Sequence, residues 1–368
     1  MKVERFGKAG PLKGVRVLEF AGIGPGPYAA MLLSDLGAEV LRIDRAGSAG
    51  AGPHEVTARG RASLALDLKD PAAVATCLEL IGSADVLIEG FRPGVMERLG
   101  LGPDATLERN PALIYARMTG WGQDGPLALA AGHDLNYIAI TGALAALGRP
   151  GTPPPPPLNL LGDFGGGSLF LVLGVLAALH ERHGSGRGQV IDAAICDGTA
   201  SLMGLACWMD KVGMAGPRGD NFLDGSAHYY RCYECADGKY VALGPIEPHF
   251  YAEMTRLLGE DLPNPPGQTR REWEMGGDVL EVVFRLKPRA EWCALLEGTD
   301  ACFAPVMDLS EAPGHPHLAA RSAYVEAFGV TQPAPAPRFS RTPGSIQGPP
   351  PAAGEGGAAM ARDWGVVV

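Results

Sequence analysis

Residues 15–45 read VRVLEFAGIGPGPYAAMLLSDLGAEVLRIDR, and this stretch decides the predicted fold. Residues 15–20 are mostly apolar, residues 28–36 place apolar side chains at helical spacing, and residues 40–43 form a second apolar run. Two short strands that flank a helix are the unit from which parallel sheets are built. The glycine-rich stretch between the first strand and the helix predicts a tight turn at the carboxyl edge of that sheet.

The same alternation of strand and helix continues along the chain. Residues 85–88 and 113–116 are further buried-strand candidates, and residues 190–195 follow a long apolar helix predicted at 168–182. Strands that alternate with helices favour a parallel sheet covered on both faces. The predicted fold class is therefore α/β, with a large Rossmann-like parallel-sheet domain.

A smaller α+β domain is predicted after residue 225, because residues 229–233 and 239–243 flank Ala236-Asp237-Gly238, a hairpin signal. Residues 150–157, with five consecutive prolines at 153–157, predict an extended surface loop. The Gly/Pro-rich tail at 344–359 is expected to be loosely ordered. The predicted domains are a large α/β domain at 1–212, a linker at 213–224, a small α+β domain at 225–320, and a linker with a C-terminal return to the large domain at 321–368.

Composition narrows the function classes. Lys and Arg number 31 against 41 Asp and Glu, and the net charge of −10 argues against nucleic acid as a partner. Apolar runs are interrupted by Gly, Pro or charge before about 18 residues, so no membrane span is expected. The seven cysteines are an odd number scattered over 368 residues, which is typical of free thiols in a reducing compartment. These features predict a cytoplasmic protein that does not bind membranes.

The glycine motif at residues 22–27 partly matches a dinucleotide fingerprint, with Asp44 after the next strand as the acid that would hold a ribose. It departs from that fingerprint at Pro25 and Pro27, which remove backbone donors from the loop. A tight strand-to-helix turn is the favoured interpretation. Arginines also follow strand ends, at Arg45, Arg92 and Arg98. They could bind a phosphorylated ligand or simply lie on a solvated face.

Three further residues are candidates for chemistry. His133 and Asp163 lie in loop-like motifs of the large domain, and together they could move a proton across one carbon. Taken singly, a structural histidine and a helix-capping aspartate are the more common roles. Glu247 lies between two prolines and could orient a histidine or cap the helix that follows. Cys232 and Cys235 resemble half a zinc site, but no second half follows, so no metal is expected.

Several long motifs in this order resemble the family III CoA transferases (the CaiB/BaiF group). They are residues 11–20, 22–27, 36–40, 84–94 and 119–123. Within that family, residues 131–137, 161–168 and 244–248 resemble the branch of α-methylacyl-CoA racemases. The resemblance extends from about residue 11 to about residue 342.

The resemblance implies that His133 and Asp163 are two catalytic bases on opposite sides of the α-carbon of a 2-methylacyl-CoA thioester. One base would remove the α-proton, and the other would return a proton to the opposite face of an enolate. Glu247 would hydrogen-bond the histidine. The resemblance further implies an interlocked homodimer, with each site between the large domain of one chain and the small domain of the other.

Coenzyme A is part of the substrate in this hypothesis, and no separate cofactor is expected. The resemblance implies that Arg45, Arg92 and Arg98 contact the CoA phosphates or adenosine, with Ile23 beside the adenine. A helix start at residues 165–168 is expected to stabilise the enolate through backbone N–H groups.

Three alternatives remain. A CoA transferase would use Asp163 as the nucleophile that forms an acyl anhydride. A nicotinamide dehydrogenase would use the glycine loop and Asp44. A catalytically silent CoA-binding homologue is the third, and His133, Asp163 and Glu247 count against it.

Overall fold

The computed structural model describes residues 9–368. The strands in this range are β1 Arg16–Phe20, β2 Glu39–Arg45, β3 Ala62–Leu66, β4 Val86–Glu89, β5 Ile114–Thr119, β6 Val190–Ala194, β7 Arg231–Glu234, β8 Tyr240–Leu243, β9 Phe303–Val306, β10 Tyr324–Ala327 and β11 Val330–Pro333. The α-helices are α1 Pro25–Asp35, α2 Pro71–Ser83, α3 Val95–Arg98, α4 Pro103–Arg109, α5 Asp134–Ala139, α6 Leu169–Ser185, α7 Ile195–Leu202, α8 Gly204–Lys211, α9 Pro248–Leu258, α10 Trp273–Phe284, α11 Arg289–Leu296, α12 Pro316–Ala320 and α13 Gly357–Asp363.

Strands β1 to β6 form one parallel sheet in the order β3-β2-β1-β4-β5-β6. This is the doubly wound order, so the predicted Rossmann-like α/β fold is confirmed. Each face of the sheet is covered by an apolar core. Leu18 and Leu41 belong to one core, while Val17 and Val40 belong to the other. The alternation of side chains along each strand therefore explains why these strands have continuous apolar sequences.

Strand β3 was absent from the sequence prediction. Its sequence ASLAL is short and rich in small residues, and it follows an irregular segment. Ser63 on this strand donates a hydrogen bond to Asp44 Oδ2 at 2.6 Å, and Asp44 also pairs with Arg42 at 3.0 Å. Strand β3 therefore lies at the sheet edge with polar partners that a hydrophobic pattern does not detect.

The long apolar helix begins earlier than predicted. Residues Leu160–Ser168 form a π-helix that continues directly into α6. The expected helix start at 165–168 is therefore wrong, and Asp163 lies inside a helix rather than capping one. Close packing explains the glycines, because a Cβ at Gly166 would lie under 3.0 Å from Thr199 on α7.

Helix length also corrects the expectation about apolar runs. Leu160–Ser185 is long and apolar enough to cross a membrane by length and composition alone, and it is the one such helix in the range 9–368. The glycines at 165–167, where the helix is predicted to start, lie within this continuous helix. Its inner face, including Leu171 and Val175, is buried in the core of the sheet.

The chain divides into two compact units. The larger unit comprises residues 9–141, Pro157–Leu202 and Ala320–Val368, and the smaller unit comprises Gly142–Pro156 and Met203–Ala319. The division falls at residue 202 instead of the predicted 212. Residues 213–224 belong to the smaller unit instead of forming a linker, since Asp220 accepts a hydrogen bond from Arg270 at 2.8 Å.

Residues 150–156 of the proline-rich stretch belong to the smaller unit. Arg218 donates a hydrogen bond to the carbonyl of Thr152 at 2.7 Å, and Gly219 packs against Pro150. The predicted surface loop therefore has partners about 65 residues away in sequence. Strands β7, β8 and β9 form the antiparallel sheet of this unit, and the predicted hairpin is confirmed as β7–β8.

The C-terminal tail is ordered, in contrast to the expectation for residues 344–359. Ser63 donates its backbone N–H to Glu355 at 2.8 Å, and Trp364 donates its indole N–H to Glu39 at 3.0 Å. The tail therefore packs along β2 and β3 within the larger unit, and backbone hydrogen bonds supply an order that its composition does not suggest.

Candidate active site

A cavity of about 730 Å³ opens at the carboxyl edge of the parallel sheet. Its walls come from the segments that follow β1, β4 and β5, together with α5 and the π-helix. The chain reverses its strand order between β1 and β4, and ligands bind doubly wound sheets at this switch point. The cavity is therefore where the topology alone would place a binding site.

The glycine loop after β1 forms one wall of this cavity. Gly24 has a φ of 70°, which favours glycine, and α1 begins at the next residue, Pro25. A Cβ on Gly24 would lie 2.9 Å from Asp163 Oδ2. The predicted tight turn is confirmed, and it brings the loop against a candidate base. Asp44 is 3% exposed and engaged by Arg42 and Ser63, which counts against the nicotinamide alternative.

His133 lines the cavity with an exposed side chain. It is the residue directly before α5, and its backbone N–H donates to Asn136 Oδ1 at 3.1 Å. The backbone carbonyl of His133 accepts the N–H of Asn136 at 2.8 Å. These reciprocal bonds fix the backbone of His133 while leaving its imidazole at the cavity surface.

Asp163 lines the same cavity and is held by its own backbone. Its N–H donates to Asp134 Oδ2 at 2.6 Å, and its carbonyl accepts the Ser168 hydroxyl at 3.0 Å. Ser168 also contacts the carbonyl of Pro25 at 2.8 Å in the glycine loop. The π-helix thus fastens Asp163 to two other walls of the cavity, and π-turns are frequent at functional sites.

Electrostatics raise the pKa of Asp163 above the ordinary carboxyl value. Burial is the main cause, and the neighbouring charge of Asp134 adds to it, while a hydrogen bond from Asn159 at 3.5 Å and the proximity of His133 oppose it. His133 therefore lies close enough to Asp163 to act on its pKa. A carboxyl group with a raised pKa is suited both to accept and to return a proton.

Two aromatic residues of the site were missed in the sequence. Tyr137 and Trp121 line the cavity with ring centroids 4.7 Å apart in an edge-to-face arrangement. The Tyr137 hydroxyl donates to the carbonyl of Gly132, next to His133. Burial and the charge of Asp163 raise the pKa of Tyr137. The position of Tyr137 four residues after His133 was a usable signal, since such residues share one face of a helix.

The predicted CoA contacts divide into two groups. Ile23 and Arg92 line the cavity, and Ile23 is 81% exposed. Arg45 ends β2 and Arg98 ends α3, and both are exposed outside the cavity lining. Only Arg92 of the three arginines is therefore brought to the candidate bases.

Glu247 lies in the smaller unit, directly before α9. Its side chain is exposed and makes no capping hydrogen bond to α9, so the capping role that the sequence left open is not used. Its charge acts on Cys302, which lines a second cavity of about 520 Å³ beside β8 and β9. The role of Glu247 toward a histidine stays a prediction.

Comparison with known proteins shows the family of this chain. Residues 12–356 match the model of CoA-transferase family III. The chain belongs to CoA-transferase family III. The resemblance based on the sequence motifs is therefore confirmed over nearly the whole chain.

Relatives within family III are named racemases. The chain is 47% identical to α-methylacyl-CoA racemase of Mus musculus over 90% of this chain and 87% of that protein. It is 43% identical to α-methylacyl-CoA racemase of Homo sapiens, with the same coverage. A crystal structure of a CaiB/BaiF family protein from Brucella suis matches 97% of this chain and all of that chain, with a TM-score of 0.83 and 25% identity.

Proposed function

We propose that this family III protein is a racemase that inverts the α-carbon of 2-methylacyl-CoA thioesters. The observation that carries the proposal is that His133 and Asp163 line one cavity at the switch point of the sheet. Relatives at 43% and 47% identity bear the name of this activity. A family III CoA transferase is the alternative activity.

The proposed reaction moves one proton off a carbon and another back. A deprotonated base takes the α-proton, and the electron pair of the C–H bond moves onto the thioester oxygen to give an enolate. The protonated partner then donates its proton to the opposite face of the same carbon. The two groups exchange protonation states in each turnover: neutral His133 with protonated Asp163 becomes protonated His133 with ionised Asp163, or the reverse. No electron or acyl group is transferred.

The CoA portion is proposed to bind along the glycine loop. Arg92 is placed to meet a phosphate, and the exposed Ile23 offers an apolar surface for adenine. Added methyl groups at Gly22 and Gly26 would meet no atom within 4 Å, so this wall leaves open space for the ligand. Arg45 and Arg98 are proposed to contact the more distant phosphate of the CoA.

A homodimer is also part of the proposal, with Glu247 supplied by a second copy of the chain. The larger unit exposes large apolar side chains, including Leu169 at 52% and Leu173 at 62%, one turn apart on α6. Leu135, Ile140 and Leu160 are exposed as well, and they lie in or next to the segments that carry His133 and Asp163. Exposed apolar patches of this kind are typical of interfaces between subunits.

The proposal is tested by removing each candidate base. His133→Ala and Asp163→Ala should each lower epimerisation of a single-enantiomer 2-methylacyl-CoA by at least about 10³-fold, with CoA affinity largely kept. Glu247→Ala should lower it less. His180→Ala and Asp104→Ala are matched controls, because both side chains are exposed and lie outside the cavity.

Two results would contradict the proposal. Near-normal epimerisation by either base variant would remove that residue from the mechanism. Wild-type protein that leaves the thioester unchanged until a free carboxylic acid is added, and then forms a new acyl-CoA, would establish the transferase and make Asp163 a nucleophile.

A further inference from the structure

Asp134 connects the two candidate bases. It is the first residue of α5 and follows His133 directly in the chain. Its Oδ2 accepts the backbone N–H of Asp163 at 2.6 Å, across 29 positions of sequence. A Cβ at Gly162 would lie under 3.0 Å from this carboxylate, so glycine at that position leaves the space that the bond occupies. One side chain therefore spans from the segment of His133 to the segment of Asp163.

The surroundings of the Asp134 side chain lower the free energy of unfolding. Asp134 is 8% exposed, and its Oδ1 has no hydrogen-bond partner within residues 9–368. A buried carboxylate oxygen without a partner is destabilising, and a neutral apolar side chain would avoid this cost. Helix α5 also has other means of starting, since Asn136 already bonds the backbone of His133. Within residues 9–368, the hydrogen bond that this carboxylate makes is the one to the N–H of Asp163.

We propose that Asp134 is a positioning residue that holds His133 and Asp163 at a fixed spacing across the cavity and places a second negative charge beside Asp163. The inference rests on the proposed two-base function. A proton transfer between a side chain and a carbon depends steeply on distance, and a displacement of 1 Å can cost about 10²-fold in rate. A carboxylate that bonds the backbone of one base and adjoins the other restricts such displacement.

The charge of Asp134 has a separate, measurable consequence. It raises the pKa of Asp163, as does burial, while Asn159 and His133 lower it. Tyr137 is the other titratable side chain that faces Asp163, and Arg92 acts on Tyr137. The charged side chains on the other elements packed here have partners of their own. Asp35 pairs with Arg59, Arg117 pairs with Glu89, and Asp192 accepts the N–H of Gln123. Asp197 accepts a hydrogen bond from Cys196, while Glu181 and Arg182, at the far end of α6, bond Ser185 and Asp85.

Two variants separate the hydrogen bond from the charge. Asp134→Asn keeps an oxygen that can accept the Asp163 N–H but removes the charge. We expect kcat within about threefold of wild type, with the acid limb of kcat/KM shifted to lower pH in the direction of reaction that uses Asp163 as the base. Asp134→Ala removes the bond as well. We expect kcat to fall about 10- to 100-fold in both directions, with KM changed by less than about threefold.

Asp104→Asn and Asp104→Ala are the matched controls, because Asp104 lies in the first turn of α4, is exposed and is outside the cavity. Circular dichroism shows whether each variant folds, and if Asp134→Ala does not, the pH profile of Asp134→Asn decides alone. Profiles of Asp134→Asn that superimpose on wild type in both directions would overturn the inference, as would an unchanged kcat for folded Asp134→Ala. Wild-type protein without epimerisation would instead refute the proposed function on which the inference rests.

Discussion

Two glycine-rich walls of the same cavity are built on different physical grounds. In the loop after β1, methyl groups added at Gly22 or Gly26 would meet no atom within 4 Å. In the π-helix, a Cβ at Gly162 or Gly166 would lie under 3.0 Å from a neighbouring residue. Gly22 and Gly26 therefore leave room at the cavity surface, and Gly162 and Gly166 allow α5 and α7 to approach closely.

A glycine cluster can therefore have two physical causes, and the sequence alone does not distinguish them. Glycine can provide space for a ligand, or it can allow one backbone to approach another. The first kind of position affects binding when it is substituted, and the second affects folding. Substitutions of the open loop glycines should therefore weaken ligand binding with little effect on stability. Substitutions of the packed π-helix glycines should lower stability instead.

The largest stability effect is expected at Gly166. Gly166→Ala places a Cβ against Thr199 and the carbonyl of Ile195, and should lower the free energy of unfolding by about 3 kcal/mol. Denaturant unfolding measures this change. Gly184→Ala on α6 is the matched control, because its Cβ would meet no atom within 4 Å, and it should be neutral or stabilising by up to about 1 kcal/mol. Equal changes in the free energy of unfolding for Gly166→Ala and Gly184→Ala would contradict the packing role of Gly166.

A packing glycine in the smaller unit is coupled to a titrating group. Gly276 lies against the ring of His228, which is fully buried. The Tyr251 hydroxyl donates to the carbonyl of Pro266 at 2.7 Å, so His228 Nε2 carries the proton that bonds Tyr251 at 3.0 Å. His228 Nδ1 has no partner in the described part of the chain, and burial lowers the pKa of His228 to about 4.

Acid should therefore destabilise the smaller unit. The unfolded chain binds a proton at His228 below its ordinary pKa of 6.5, while the folded chain does so only near pH 4. His228 does not lower the free energy of unfolding above about pH 6.5. As the pH falls from there to about 4, the free energy of unfolding decreases by about 3 kcal/mol at most. His228→Gln should remove this part of the pH dependence of the melting temperature. Parallel pH curves for wild type and variant would contradict the assignment.

The smallest stability effect is expected in the loop. Gly26→Ala should leave the melting temperature unchanged or slightly raised, because the residue lies in the first turn of α1 with open space around it. The same methyl group should narrow the cavity and raise KM for an acyl-CoA about tenfold, which corresponds to about 1.4 kcal/mol. Steady-state kinetics beside thermal melts test both statements. A lower melting temperature with an unchanged KM would assign Gly26 to packing instead.

Sequence reasoning succeeded where the determining interactions are local. The strands that carry Leu18, Leu41 and Leu87 are buried on both faces, so their apolar runs are continuous and easily recognised. The helix start at Leu160 was missed because the glycines at 165–167 serve contacts with α7, which is a tertiary feature. The bond between Asp134 and Asp163 joins residues 29 positions apart. No periodicity or turn signal reports such a contact.

The candidate catalytic residues were named from the sequence, but their surroundings were not predicted. His133, Asp163 and Glu247 stand in long motifs, yet the sequence does not give the raised pKa of Asp163, which depends on burial and on Asp134. Tyr137 was overlooked because an aromatic residue in a helix usually indicates a core position. The distinction between Arg92 and the other two arginines likewise required the cavity.

Hydrogen exchange at the α-carbon shows whether two bases move a proton across this carbon. A single-enantiomer 2-methylacyl-CoA is incubated with the protein in D₂O and followed by proton NMR and by chiral analysis. The account predicts loss of the α-proton signal together with loss of optical purity, with both abolished in the double variant His133→Ala/Asp163→Ala. An α-proton signal that persists with wild-type protein, in a thioester that stays unchanged until a free carboxylic acid is added, would contradict the two-base mechanism.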